Sequence, residues 1–293
     1  MNSRRASAFG LLALSNLLWS GNWVIGRALR EAFDPISLNF WRWLVAVLVM
    51  APFAMAAVDW RVVRRHLGFY SLLALTGVVG FQSLVYLGLE STTAINAVLI
   101  NAAGPLFFVL CSWILEREKA GARQIGGMLL SFLGIVIIVC QGDVARLAQL
   151  EFHRGDLWIL LAMPMWGVYS VLLKRCPPEL RGAAFAFVIA VIGVVMLAPL
   201  YGFYPMKKPQ GIPSGADIAA VLYVAIAASV IAFLCWNRGV AVVGANAAGF
   251  TLPLLPAFGT VLAIVLLGES FQPFHAAGFA TILAGVTLAT YKK

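Results

Sequence analysis

The sequence predicts an all-α integral membrane protein of ten transmembrane helices, arranged as two five-helix inverted repeats. Three observations carry that prediction. The 293 residues are 62% hydrophobic and only 11% charged, where a soluble chain carries about 25% charged residues. So few charges cannot cover a water-facing surface of this size, and the solvent must be largely lipid. The chain also breaks into ten apolar runs, each close to the roughly 20 residues that a spanning helix needs. Finally, a stretch in the first half returns in the second at an offset of 151: Gly88 meets Gly239, Ala97 meets Ala248, Pro105 meets Pro256, Glu118 meets Glu269, Gly127 meets Gly278 and Gly134 meets Gly285. Asn96 meets Asn246 with a slip of one. A period of half the chain is a duplicated half, not a short repeat array.

The runs fall at 7–28, 37–58, 69–89, 94–115, 123–140, 155–174, 182–202, 216–236, 245–267 and 274–291. The breaks between them carry turn chemistry, such as Asp34-Pro35, Pro177-Pro178 and Gln272-Pro273. The runs are too long and too continuously apolar for barrel strands. Five spans per half is an odd number, so the second half enters the membrane upside down relative to the first. The halves are expected at 1–141 and 155–293, with a hydrophilic linker at 142–154. Two related halves of opposite topology make a transporter architecture.

Charge supplies a direction. The net charge of +9 resides in loops, so it is not a nucleic-acid signal. Fourteen of the 21 basic residues fall on the side of the N terminus, among them Arg4, Arg5, Arg61, Arg64, Arg65, Arg175 and Arg181. The positive-inside rule then places both termini in the cytoplasm. Arg4 and Arg5 precede a full-length apolar helix with no small-residue cleavage site, so no cleavable signal is expected. The cysteines, Cys111, Cys140, Cys176 and Cys235, match no metal or disulfide spacing. The histidines His66, His153 and His275 fall in loops and form no metal set. No metal and no cofactor is expected.

Polar groups in hydrocarbon are costly, so those present face a cavity or a neighbouring helix. The first span carries Ser15, Trp19, Asn22 and Gly26 on one face, and its counterpart, the sixth, carries Trp166, Tyr169 and Ser170. The third offers Gln82 and Tyr86, and the eighth Ser229, Phe233, Trp236 and Asn237, with Asn237 placed opposite Tyr86 by the repeat. The fourth and ninth add Asn96, Asn101 and Asn246. Each small polar residue alone reads equally as glue between helices. Together they describe aromatic faces beside neutral amides and hydroxyls, which suits an amphipathic organic solute. No Asp or Glu lies at mid-span, so coupling through a buried carboxylate is not expected.

Glu118 and Glu269 end the fourth and ninth spans and read either as gate residues or as helix-end markers. Arg42, in Trp41-Arg42-Trp43 near one end of the second span, is expected to snorkel to water as an anchor, or else to attract a carboxylate. Pro105, Pro253 and Pro256 predict kinks in the duplicated helices.

Several motifs together resemble the EamA-type members of the drug/metabolite transporter superfamily. They are the first-span W-x-G-N-W, the Asp34-Pro35 to Arg42 spacing, the run ending in Pro105-Leu106-Phe107-Phe108, the Glu118 and Glu269 helix ends and the paired glycines. The likeness covers nearly the whole chain, with the YddG-type exporters of aromatic amino acids as the nearest group. It implies ten helices around a basket-like cavity and export across a bacterial inner membrane. It also implies a path lined by spans one, three, four, six, eight and nine. On this reading Trp19, Asn22, Gln82, Tyr86, Asn101, Trp166, Tyr169, Asn237 and Asn246 meet the substrate, while Arg42, Pro105, Glu118, Pro256 and Glu269 gate or support. The expected partners are a small molecule (an amino acid or an amphipathic drug) and the bilayer, in a monomer or weak homodimer. A nucleotide-sugar carrier would need cations deep in the cavity, where only Arg42 and Lys174 come close. A membrane-embedded enzyme would need a catalytic cluster at one depth, and the sequence offers none.

Overall fold

The computed structural model describes residues 3–29, 32–143, 145, 150–204, 214–267 and 270–290. All regular structure among them is helical. Ten helices are long and apolar enough to span a bilayer: α1 (Ser3–Gly26), α2 (Pro35–Ala57), α3 (Leu67–Ser91), α4 (Asn96–Glu116), α5 (Ala122–Val139), α6 (Arg154–Arg175), α7 (Gly182–Phe203), α8 (Gly215–Val243), α9 (Ala245–Leu262) and α10 (Pro273–Thr290). Helices satisfy their own backbone groups, which lipid cannot do. Their ends are built from side chains. The Thr93 hydroxyl accepts from the Asn96 backbone N–H at the start of α4, and Ser214 with Asp217 forms a reciprocal capping box at α8. Helix α4 ends on Arg117 at φ 57°, with the Glu118 N–H donating to the Ser112 carbonyl.

The packing is that of an inverted repeat. Helices α5 and α10 pair along their length. Gly127 meets Gly285 and Gly134 meets Gly278, and a Cβ at Gly127 or Gly134 would lie 2.5 or 2.7 Å from the facing carbonyl oxygen. Only glycine permits that approach. Helices α2 and α7 form the second pair. The remaining helices exchange partners between halves: α6 packs on α3 and α4, while α1 packs on α8 and α9. The two crossings correspond. Gly88 of α3 receives Ile159 of α6, and Gly239 of α8 receives Leu12 of α1.

Two helices depart from α geometry at matching places. Leu75–Gly80 in α3 and Val224–Ile231 in α8 are π-helical, and the first shifted by 151 falls within the second. A π segment widens the turn and frees carbonyls, which need donors from elsewhere. Asn39 of α2 supplies one by donating to the Val78 carbonyl (3.1 Å) and to Ser83 Oγ (2.9 Å). Trp19 Nε1 donates to the Ala228 carbonyl (2.9 Å), and Ser15 Oγ donates to the carbonyl of Ala232 just beyond (3.0 Å). The predicted kinks are present as breaks: α4 is interrupted at Ala103 ahead of Pro105, and α9 between Gly249 and Leu254, ahead of Pro256.

Two local expectations are corrected. His275 is not a loop residue; it is buried in the first turn of α10, its Nδ1 accepting from the Gln272 N–H. Arg42 does not snorkel: only 2% of it is exposed. Its helix face is covered by α3 and the π segment of α8, so the guanidinium has no path to water along its own helix.

Candidate functional site

Between the α3/α4/α6 group and the α1/α8/α9 group lies a narrow cavity. Its wall includes Trp19, Asn22 and Trp23 of α1, Phe81 and Gln82 of α3, Asn101 and Phe108 of α4, Met163 and Trp166 of α6, and Leu252 and Leu255 of α9. Only about 30 Å³ of it can hold the centre of a water molecule. A solute the size of an amino acid therefore enters only if side chains or helices part.

One side of the cavity is an aromatic cluster. The Trp19 ring lies 5.2 Å from those of both Trp166 and Trp236, and Trp166 stacks on Tyr169 at 4.9 Å and 20°. Phe81 adds a ring 5.0 Å from Trp166, and Phe108 one 6.1 Å from Trp236. The polar ends of Trp19, Tyr169 and Trp236 are tied to neighbouring helices. Trp236 Nε1 donates to Ser170 Oγ (3.1 Å), the Tyr169 hydroxyl donates to Asn237 Oδ1 (2.8 Å), and Trp19 is held by α8 as described. Ring faces and edges are what remain for a ligand, at separations typical of aromatic pairs.

The other side is polar and positive. Arg42 Nε donates to Ser229 Oγ (2.8 Å), and Nη1 donates to the Tyr86 hydroxyl (2.9 Å) and to Asn22 Oδ1 (3.5 Å). The Tyr86 hydroxyl in turn donates to Asn22 Oδ1 (3.0 Å). The π geometry of α8 places Ser229 here, where its hydroxyl also donates to the Val224 carbonyl five residues back (2.8 Å). The guanidinium further lies 5.6 and 5.8 Å from the ring centroids of Trp43 and Tyr86, within cation–π range. Among the described residues no carboxylate lies within ion-pair distance of Arg42. Burying an unpaired charge costs several kcal/mol, and here only neutral groups offset it.

Five of the nine predicted contact residues line the cavity: Trp19, Asn22, Gln82, Asn101 and Trp166. Tyr86 stands one hydrogen bond behind Asn22, and Tyr169 stands behind Trp166. Asn237, the repeat counterpart of Tyr86, bonds Tyr169, and Asn246 lies buried off the wall, on the short helix Ala245–Gly249. Helix α9 presents Leu252 and Leu255 in place of Asn246, and α8, expected to line the path, puts no residue on this wall; its Trp236 packs against Trp19. The sequence reading missed Trp23, Phe81, Phe108, Met163, Leu252 and Leu255 as wall residues, since apolar side chains in an apolar span give no sign of facing a cavity. The break in α9 resets the helix phase, which hid the leucines.

The α3/α4/α6 group is tied at both ends. On the side of the N terminus, Glu116 pairs with Arg175 (2.6 Å) and Lys174 (3.8 Å). At the opposite end Asp156 accepts from the Thr92 hydroxyl, and its Oδ2 from Asn96 Nδ2 and the His153 N–H, both at 2.8 Å. Glu118, read as a gate or a helix-end marker, has an exposed side chain just past the end of α4, and the pairing acid is Glu116 two residues earlier. Glu269 lies outside the described residues. The two groups touch at both ends of the cavity. Phe108 of α4 fills the space a side chain at Gly249 of α9 would need, and Tyr86 of α3 does the same at Gly26 of α1.

Fold and cavity thus define a multi-pass membrane protein of the inverted-repeat transporter class. The profile of the EamA-like transporter family matches residues 6–140 and again 153–291. The chain belongs to that family. A transporter of Archaeoglobus fulgidus, named as uncharacterized, is 31% identical, with 97% of each chain covered. A protein of Streptantibioticus cattleyicolor named a probable terminal-alkyne amino-acid exporter is 27% identical, over 97% of this chain and 93% of its own. An S-adenosylmethionine/S-adenosylhomocysteine transporter of Chlamydia trachomatis is 21% identical, over 94% of this chain and 87% of its own. A solved crystal structure superposes with a TM-score of 0.75 at 22% identity, covering 97% of this chain and 96% of that one, which supports the fold alone.

Proposed function

We propose that this chain exports aromatic and other neutral amino acids, with related amphipathic compounds, across a bacterial inner membrane, both termini facing the cytoplasm. The observation that carries the reading is the two-sided cavity, with the rings of Trp19 and Trp166, backed by Tyr169 and Trp236, on one side and the amides of Asn22, Gln82 and Asn101 on the other. Rings would enclose the side chain; amides would face the polar end of the amino acid. An amino-acid exporter among the relatives supports the same reading. The repeats at 1–141 and 155–293 exchange helices, so the movable units are α3/α4/α6 and α1/α8/α9. Their rocking about the cavity would expose it to each side in turn. A nucleotide-sugar carrier fits less well: its phosphates carry at least two charges, Arg42 supplies one, and the Lys174 side chain is 68% exposed beside Glu116.

The test is flux into liposomes holding the purified protein, with labelled Phe, Trp, Thr and Met, with and without a pH gradient. Saturable flux of Phe and Trp that persists without the gradient is expected. No amino-acid flux sinks the substrate reading, and strict dependence on the proton gradient sinks carriage without a buried carboxylate.

A further inference from the structure

We infer that the cavity recognises the carboxylate of its substrate and not the ammonium, so that aryl carboxylates lacking an amino group are ligands while the matching amines are not. The inference deepens the proposed function and rests on its placing of the site, yet it makes a separate claim about charge.

Three observations converge. Arg42 brings a full positive charge one side chain behind the cavity wall, hydrogen-bonded among the described residues to Asn22, Tyr86 and Ser229. Those partners are neutral and accept through single oxygens. A carboxylate offers two oxygens with full charge, which bind a guanidinium more strongly. Gln82 and Asn101, 6% and 4% exposed, line the same cavity with Nε2 and Nδ2 donors that have no partner. A buried donor without an acceptor is costly, and an arriving anion relieves it. The cavity therefore sets unpartnered donors beside a cation. An ammonium wants the reverse. Among the described residues the buried acids stand elsewhere: Asp156 is occupied at the end of α6, and Asp34 precedes α2, about 12 Å from Arg42 along the axis. The aromatic side of the cavity then selects the body of the solute. Asn22 is the hinge of the exchange. Its Oδ1 now accepts from both Arg42 and Tyr86, and a carboxylate taking its place would leave those two donors satisfied.

The test is equilibrium binding of radiolabelled 3-phenylpropionate to the detergent-solubilised full chain, with phenylalanine and 2-phenylethylamine as competitors. The acid is expected to bind at least tenfold more tightly than the amine, with phenylalanine competing. Arg42→Gln is expected to abolish that preference and Arg42→Lys to keep part of it, each variant checked by gel filtration and thermal unfolding. Should Arg42→Gln fail to fold, Gln82→Leu removes an unpartnered donor and leaves the Arg42 bonds intact; acid binding should weaken several-fold with amine binding unchanged. The inference is overturned if the amine binds as tightly as the acid, if folded Arg42→Gln binds the acid as wild type does, or if Gln82→Leu leaves acid binding unchanged. Phenylalanine flux in liposomes with no preference for the acid overturns this inference alone. Preference for the acid with no amino-acid flux overturns the amino-acid reading alone.

Discussion

At the scale of single residues, Trp166 is the centre of the aromatic side. It contacts Trp19, Phe81, Tyr169, Phe233 and Trp236, so each of those rings is placed partly by it. Aromatic pairs are worth about 0.5–1.5 kcal/mol beyond their buried area. Trp166→Ala should therefore lower the ratio of Trp to Thr flux by about two- to tenfold in folded protein. An unchanged ratio removes Trp166 from the path. The sequence pointed to this residue because Trp19 and Trp166 lie at matched depth on matched helices. For Arg42 it left two readings, an interface anchor and a residue that attracts a carboxylate. A Trp-Arg-Trp triplet near a helix end has the composition of an interface anchor, and only the packing of α3 and α8 over that face shows otherwise.

At the scale of elements, the two π segments explain most of what pattern reading could not see. Apolar runs were long enough to announce α3 and α8, but hydropathy carries no trace of a widened turn. The segment in α8 keeps register with that in α3, so that Asn237 bonds Tyr169 as Tyr86 bonds Asn22. It also sets Ser229 beneath Arg42 and the Ala228 carbonyl beneath the Trp19 indole. The segment in α3 depends on Asn39. Asn39→Leu leaves the Val78 carbonyl without that donor in the protein interior, at a cost of about 1–3 kcal/mol. Thermal unfolding of the solubilised variant should drop accordingly, and a midpoint equal to wild type would show that the segment is held by other means. The proline breaks, by contrast, were legible, since a residue with no N–H must interrupt the ladder.

At the scale of the whole molecule, the duplication was readable because its glycines cannot be replaced. Gly127, Gly134, Gly278 and Gly285 meet as two facing pairs, where a Cβ on either side strikes backbone. What the repeat could not reveal is that the halves exchange α1 and α6, so that the groups flanking the cavity mix both halves. The ties at Glu116 and Asp156 make α3, α4 and α6 one body.

The central claim is that these two groups part and close about the cavity during transport. Phe108 and Gly249 meet across them, with a Cβ at Gly249 lying 2.9 Å from that of Phe108. A disulfide asks for about 3.8 Å, a small relaxation from this contact. The direct measurement is amino-acid flux in liposomes through a Phe108→Cys/Gly249→Cys double variant, otherwise free of cysteine, before oxidation, after it and after reduction. Flux should be present in the reduced protein, stop on cross-linking and return with reductant. Fully cross-linked protein that still carries substrate at the reduced rate would contradict it.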